Sequence, residues 1–353
     1  MTLILNNDEV GRALDFGECL AACEAAYREL AAGRAVNRPT TQSYLPHTTP
    51  RSTYSFKSVE GGVGALGVMA LRITSDIVRE EEASGTLRLN KLPLAPGGKY
   101  VGMVQLFSVE TGEPLAIMPD GLIQQARVAI TSALGVRYLA REESSTLGLI
   151  GTGDQARAHL KALAAVRPIA TVRVYSPNAA HRREFVETMG KQCNLEFIEC
   201  ASVGETAQRC DILCTATNAS RPIVTGALLA PGVHYNAIRE FEVDESVFAR
   251  SDVVAIHTRF GGVLHYLPDG QRVDLPGVRR EKDRDWSRFP EIADFVSGRL
   301  PGRRHPKEIT FFLNNIGTGL QFAAVGHAVY RRCREAGLGR EVPTDWFLQD
   351  IKP

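Results

Sequence analysis

The pattern of apolar positions changes character near residue 147, and the two parts predict different architectures. In the first part Leu20, Cys23, Tyr27 and Leu30 recur at helical spacing, with Gly33 as a C-terminal stop. Runs at 53–57, 66–74, 101–109 and 114–118 predict strands, while 79–98, charged and punctuated by Gly and Pro, reads as a loop. A long helix over 122–140 follows. After it the order is strand 147–150, helix 155–166, strand 171–175, helix 179–190, strand 195–199, helix 203–209, then strands 211–216, 233–238 and 252–256. That alternation predicts a doubly wound parallel sheet, whereas the first part, lacking it, predicts an α+β unit.

The rhythm breaks at 259–308. There 263–267, a turn at 268–270 and 272–275 read as a hairpin, and the charge-rich stretches 279–288 and 302–307 as solvated surface. Helical periodicity returns over 319–334 and predicts a helix that goes back to pack on the first part. The expected division is a substrate-binding and dimerisation domain over 1–125, rejoined by 319–353, and a nucleotide-binding domain over 126–318 with an insertion at about 259–308.

The strand at 147–150 runs into Gly151-Thr152-Gly153-Asp154-Gln155-Ala156 and then into a helix, the strand–turn–helix setting of a Rossmann dinucleotide fingerprint. Gly151 permits the turn, Gly153 lets the backbone approach a pyrophosphate, and Ala156 keeps the helix against its strand. The helix N-terminus offers free N–H groups to that anion. The second strand ends at Tyr175 without the acidic residue that would bond a ribose 2′-OH. Ser176 and Asn178 stand there, with His181, Arg182 and Arg183 a turn later, which favours NADP over NAD.

Composition adds mainly exclusions. The 353 residues are 44% hydrophobic and 23% charged with net charge +1, which gives no reason to expect nucleic-acid or membrane-surface partners. No apolar run approaches a membrane span and no signal-peptide pattern opens the chain, so a cytoplasmic protein is expected. Seven cysteines and eight histidines fall in no zinc-type spacing, and no metal is expected.

Arg127 shares a helical face with Ile123, Ile130 and Leu134, so its guanidinium requires an anion. A substrate carboxylate and an internal protein carboxylate are equally open to it from the helix alone. Arg72 and Lys57 lie on predicted strands and face either the cleft or solvent. Glu240 and Glu242 follow a strand at the carboxyl edge of the sheet, where either is placed for acid or base work on an imine or amine nitrogen.

Taken in order, these segments resemble the ornithine cyclodeaminase/mu-crystallin family over nearly the whole chain. The resemblance is carried by Leu66-Gly67-Val68, by 106–114, by Arg127 to Leu134, by 138–141, by the glycine loop with its Gln155-Ala156 pair, and by 210–217 and 232–238. It implies a two-domain homodimer, a nicotinamide cofactor and a small amino or imino acid in the cleft. It implies a substrate-carboxylate role for Arg127 and pyrophosphate contacts for Gly153, Asp154 and Gln155. Cofactor contacts follow for Thr217 and for Asn236, Ala237, Ile238 and Arg239, a place near the nicotinamide for Asn315 and Ile316, and a second basic substrate contact at Arg38. Two positions depart from the family pattern: Met69 stands where a lysine is frequent, and Glu240 and Glu242 occupy a shortened loop without the cyclodeaminase aspartate.

The expected function is therefore NAD(P)-dependent reduction of imino acids, or the reverse dehydrogenation, with Arg127 on the carboxylate, Arg72 or Lys57 assisting, and Glu240 at the nitrogen. The alternatives are a cyclodeaminase-type ammonia lyase with internal hydride recycling, and a cofactor- and ligand-binding protein without turnover.

Overall fold

A computed structural model describes residues 1–351 except 84–85, 220, 261–262 and 269–283, with backbone only for 80–83 and 86–89. The chain opens with β1 (Thr2–Ile4), α1 (Asn7–Ala13) and α2 (Phe16–Ala31). Asn6 and Glu9 close a capping box on α1, and Asp15 caps α2. The stripe on α2 is buried at Leu20, Cys23 and Tyr27, and Gly33 turns the chain out of the helix with φ 72°.

Seven strands follow: β2 (Ala35–Asn37), β3 (Thr41–Pro46), β4 (Ser52–Val63), β5 (Val68–Ala83), β6 (Thr86–Leu92), β7 (Val101–Ser108) and β8 (Pro114–Pro119). With β1 they form most of a largely antiparallel sheet, to which β15 (Leu264–Tyr266) and β17 (Arg340–Val342) add the two ends. The stretch 79–98 is not simply a loop, because β5 continues to Ala83 and pairs antiparallel with β6. Charged residues in the run Arg79–Glu82 mask the strand, since neither face is uniformly apolar.

The helix α3 (Gly121–Leu139) leads into the second sheet. Arg167 caps its C-terminus, Nη2 donating to the carbonyls of Val136, Arg137 and Ala140. Then come β9 (Thr146–Ile150), α4 (Asp154–Ala164), β10 (Thr171–Tyr175), α5 (Ala179–Gly190), β11 (Glu196–Glu199), α6 (Val203–Ala207), β12 (Ile212–Thr215), β13 (His234–Ala237), α7 (Glu245–Arg250) and β14 (Val253–Ile256). With β16 (Thr310–Leu313) they make a seven-stranded parallel sheet in the order β11-β10-β9-β12-β13-β16-β14. Its order reverses at β9, so the expected doubly wound fold is the one formed.

Within 259–308 the described residues show partners that the sequence reading does not include. Residues 264–266 join the first sheet through β3, and the turn at 269–270 and second strand at 272–275 lie outside the described residues. Arg284 lies over Phe248, 3.9 Å from the ring centroid, and pairs with Glu240 and Glu245. Arg303 donates to the carbonyls of Leu139, Glu308 and Val233. These cations are used inside the protein, a possibility that charge density alone does not reveal. After α8 (Ile292–Val296), the helix α9 (Gly319–Glu335) packs on α2, β4 and β5. Its first turn crosses β4 so closely that a Cβ on Gly61 would sit 2.2 Å from the Gly319 backbone.

Candidate active-site cleft

A cavity of about 630 Å³ opens at the carboxyl ends of the parallel strands, lined by Ile150, the loop Gly151–Gln155, Tyr175, Ser176, His181, Thr217 and Ile238 among others. Gly151 has φ 115°, and a Cβ there would meet the Ala216 carbonyl at 2.3 Å. A Cβ on Gly153 would meet nothing within 4 Å, so its missing side chain leaves space on the cleft side. Gly153 caps α4 without a side-chain bond, leaving the first-turn N–H groups free, and Gln155 Oε1 is buried without a partner. Ala156 is fully buried under the loop. The open glycine cradle and the free N–H groups of the helix terminus fit a dinucleotide pyrophosphate, whose oxygens accept from them.

The end of β10 carries no carboxylate. Asn178 is spent on the helix, Oδ1 accepting from the N–H groups of Ala180 (2.9 Å) and His181. Arg182 is largely buried, donates to the Ser176 carbonyl, and lies 5.9 Å from the Tyr175 ring centroid. Ser176 and His181 thus line the cavity, whereas Asn178 and Arg182 shape the wall behind it.

Glu242 holds the far wall together. Its fully buried carboxylate accepts from the Thr217 N–H (2.8 Å) and Oγ1 (2.7 Å), Thr215 Oγ1 (3.0 Å), and the Ile238 and Arg239 N–H groups. Burial raises its pKa, and those bonds pull it back. The position is a positioning one, legible in sequence only as a second acid beside Glu240.

Several expected contacts are placed elsewhere. The side chains of Asn236 and Ala237 are fully buried, and Asn236 Nδ2 donates to Ser132 Oγ at 3.1 Å. Ser132 also receives Asn314 Nδ2 and gives its proton to His159 Nε2, whose Nδ1 donates to the Gln155 carbonyl. Asn236 therefore joins sheet to helix beneath the cleft and does not line it, because inward alternation on β13 puts it against α3. Arg239 and Glu240 line a separate pocket of about 90 Å³ with Phe241, Trp286 and Asn315. Glu240 is held 3.4 Å from Arg284 Nε, which accounts for its charge without a substrate nitrogen. Asn315 clasps the Thr258 backbone.

Arg127 is 7% exposed, and among the described residues it forms no ion pair. Its Nε donates to Gln124 Oε1 (3.1 Å) and Nη1 to Gln321 Oε1 (3.0 Å), and its guanidinium carbon is 5.3 Å from the Phe322 centroid. Burial, reinforced by the Arg72 charge, lowers its pKa to about 9. Gln321 Nε2 passes the network to Thr131, and Tyr27 carries it on to His257 Nε2 (2.7 Å). His257 Nδ1 donates to the Ile316 carbonyl, so the backbone beside Ile316 is tied to the Arg127 cluster. Arg72 is paired with Asp120 at 2.7 Å. Lys57 is half-buried, and burial with the Arg72 charge lowers its pKa to about 8. Arg38 is exposed and paired with Glu60. Gln124 and Gln321 went unrecognised in the sequence, although Gln124 stands one helical turn from Arg127.

The family model of the ornithine cyclodeaminase/mu-crystallin family matches residues 98–337. The chain belongs to this family. A curated member, a Delta(1)-pyrroline-2-carboxylate reductase of Bacillus cereus, is 27% identical and aligned over 96% of this chain and 99% of its own. An alanine dehydrogenase of Archaeoglobus fulgidus is 27% identical over 97% of this chain and 98% of its own. The structure of Thermococcus litoralis Delta(1)-pyrroline-2-carboxylate reductase in complex with NADH and L-proline has TM-score 0.76 at 25% identity, covering 97% of this chain and 100% of that one. Within the family match lie the glycine loop, Arg127, Thr217, Glu240 and Asn315, while Arg38, Lys57 and Arg72 precede it. No helix among the described residues is long and apolar enough to cross a membrane.

Proposed function

We propose that this chain is a nicotinamide-dependent reductase of small imino acids, or a dehydrogenase of the corresponding amino acids. The observation that carries the reading is Arg127, a buried guanidinium without a protein carboxylate among the described residues. Of the two anions the sequence left open, the lack of a carboxylate partner among the described residues supports the ligand's. An uncompensated buried cation is costly, and a bidentate carboxylate relieves that cost. The reductase and dehydrogenase relatives support the same chemistry.

Gly151, Gly153, Asp154, Gln155, Ser176, His181, Thr217 and Ile238 would hold the cofactor, which when bound supplies the hydride for the imine carbon. Gln124 and Gln321 fix the plane of the Arg127 guanidinium, and Phe322 backs it. Arg127 then orients the substrate by its carboxylate, and Glu242 keeps Thr217 and Ile238 in register along the cleft. We assign NADP over NAD, because β10 ends without a carboxylate and presents Ser176 and His181.

The assembly we propose is a homodimer through the open face of the first sheet, where alternation leaves Leu71, Ile73, Met103, Phe107 and Ile117 half-buried. Light scattering on the eluting protein measures it, and a monomer would remove it.

The functional test follows reduced-nicotinamide absorbance with NADPH or NADH and cyclic or linear imino acids, beside ammonia release from ornithine with NAD. Absorbance loss supports the reductase. Ammonia at constant absorbance would replace it with the cyclodeaminase reading.

A further inference from the structure

Among the described residues, the cations around the first sheet exceed what one substrate carboxylate accounts for. The cross-strand pairs Lys57↔Thr74 and Val59↔Arg72 put Lys57, Thr74, Arg72 and Asp76 on one face of β4 and β5. Above that face lies a cavity of about 1040 Å³ whose lining includes Arg72, Thr74, Lys91, Asp120 and Gln124. Two cations of its lining are answered within the protein, Arg72 by Asp120 at 2.7 Å and Lys91 by Asp76 at 2.6 Å, and a third, Lys99, is exposed. Outside that lining, Lys57 shares the strand face of Arg72, and Arg127 shares the Phe322 ring with it. Neither has an ion pair among the described residues, and each lies within electrostatic reach of Arg72.

We infer that the substrate carries a second carboxylate, received by the Lys57 ammonium while Arg127 holds the first, so that the chain acts on dicarboxylic imino acids. The inference rests on the reading of Arg127 given above and extends it to the substrate's far end. A monocarboxylate would neutralise Arg127 and leave Lys57 half-buried and unmatched. A substrate with a second ammonium, such as ornithine, would bring like charge to a face already in excess. A second carboxylate satisfies both cations at once. Burial and the charges of Arg72, Lys91 and Arg127 lower the Lys57 pKa to about 8 against the attraction of Asp76.

The test is calorimetric binding to the full chain with NADP, comparing 2-oxoglutarate and oxaloacetate with their monocarboxylate counterparts 2-oxopentanoate and 2-oxobutyrate. The expected preference for the dicarboxylates is about 10- to 100-fold, the range of a charge-assisted contact. Lys57→Gln should collapse that ratio towards unity, and Lys57→Arg should retain most of it and show that the fold is intact. Absence of a preference in the wild type would overturn the inference. So would an equal loss for both ligand classes in Lys57→Gln, which would mean that Lys57 shares the first carboxylate.

A parallel assay oxidises aspartate, glutamate, alanine and proline with NADP or NAD. Dicarboxylate binding without turnover on any of them would reject the reductase reading while leaving the Lys57 contact with a second carboxylate standing. Turnover on alanine and proline without a dicarboxylate preference in binding would do the reverse.

Discussion

Arg72 and Arg127 share the ring of Phe322, each guanidinium carbon 5.3 Å from its centroid, yet among the described residues only Arg72 has a carboxylate partner, Asp120. The asymmetry separates a cation that builds the site from one that awaits a ligand. Arg127→Ala is expected to lower kcat/KM by about 10³-fold through loss of two charge-assisted bonds. Cofactor affinity, read by fluorescence titration, should stay within about 3-fold because the glycine loop is built from other elements. Retained turnover would remove Arg127 from the substrate site.

Gly317 lies against the same guanidinium. A Cβ there would fall 2.5 Å from Nη2 and 2.6 Å from Nη1 of Arg127. Gln124 and Gln321 restrain the guanidinium from moving aside, so Gly317→Ala should misplace it and cost about 100-fold in kcat/KM. Steady-state kinetics beside a thermal melt check this, with the midpoint expected to move much less than the activity.

Ser176→Asp restores an acidic group at the end of β10. A carboxylate there accepts from a ribose 2′-OH and repels a 2′-phosphate. The NADPH-to-NADH ratio of kcat/KM should fall by about 100-fold, a shift within reach of one new charge-assisted bond to the ribose together with one repulsion against the phosphate. An unchanged ratio would place the discriminating group elsewhere.

Stability should fall on mild acidification. Burial keeps His159 neutral down to about 4 and His257 down to about 3, and lowers His234 well below its usual 6.5. In the unfolded chain these side chains protonate near 6.5, so the unfolded state takes up protons that the folded state refuses. Their contribution is complete above that value and is lost as pH falls towards the folded values, at about 1.4 kcal/mol per pH unit for each histidine. Urea unfolding at pH values between 7 and 5 would show the slope, and a flat profile would mean that these imidazoles are protonated in the folded state.

The periodicity of the chain showed the second sheet almost strand by strand, because buried parallel strands flanked by amphipathic helices leave a strong pattern. The glycine loop was equally legible, since Gly151 and Gly153 meet backbone demands that few other residues satisfy. Less was visible where function depends on long-range partners. Glu240 and Glu242 are two residues apart, and nothing local shows that one pairs with Arg284 while the other gathers the Thr217 and Ile238 backbone. Asn236 belonged to a matched segment, but the alternation of β13 turned it towards Ser132. Local sequence also hid which side chains surround Arg127, because that depends on α3, α9 and β5 meeting in space.

The crossing at Gly61 and Gly319 also bears on the order in which the protein is assembled. β1 pairs with β17, and α9 covers β4 and β5, so the sheet that presents Lys57 and Arg72 draws on residues from both ends of the sequence. During synthesis its strands emerge early but wait for residues 319–342 before their helical cover and edge partner exist. The parallel sheet, whose strands all lie between β9 and β16, has them in hand sooner, so the pocket that recognises the substrate becomes complete only after the one that grips the nucleotide.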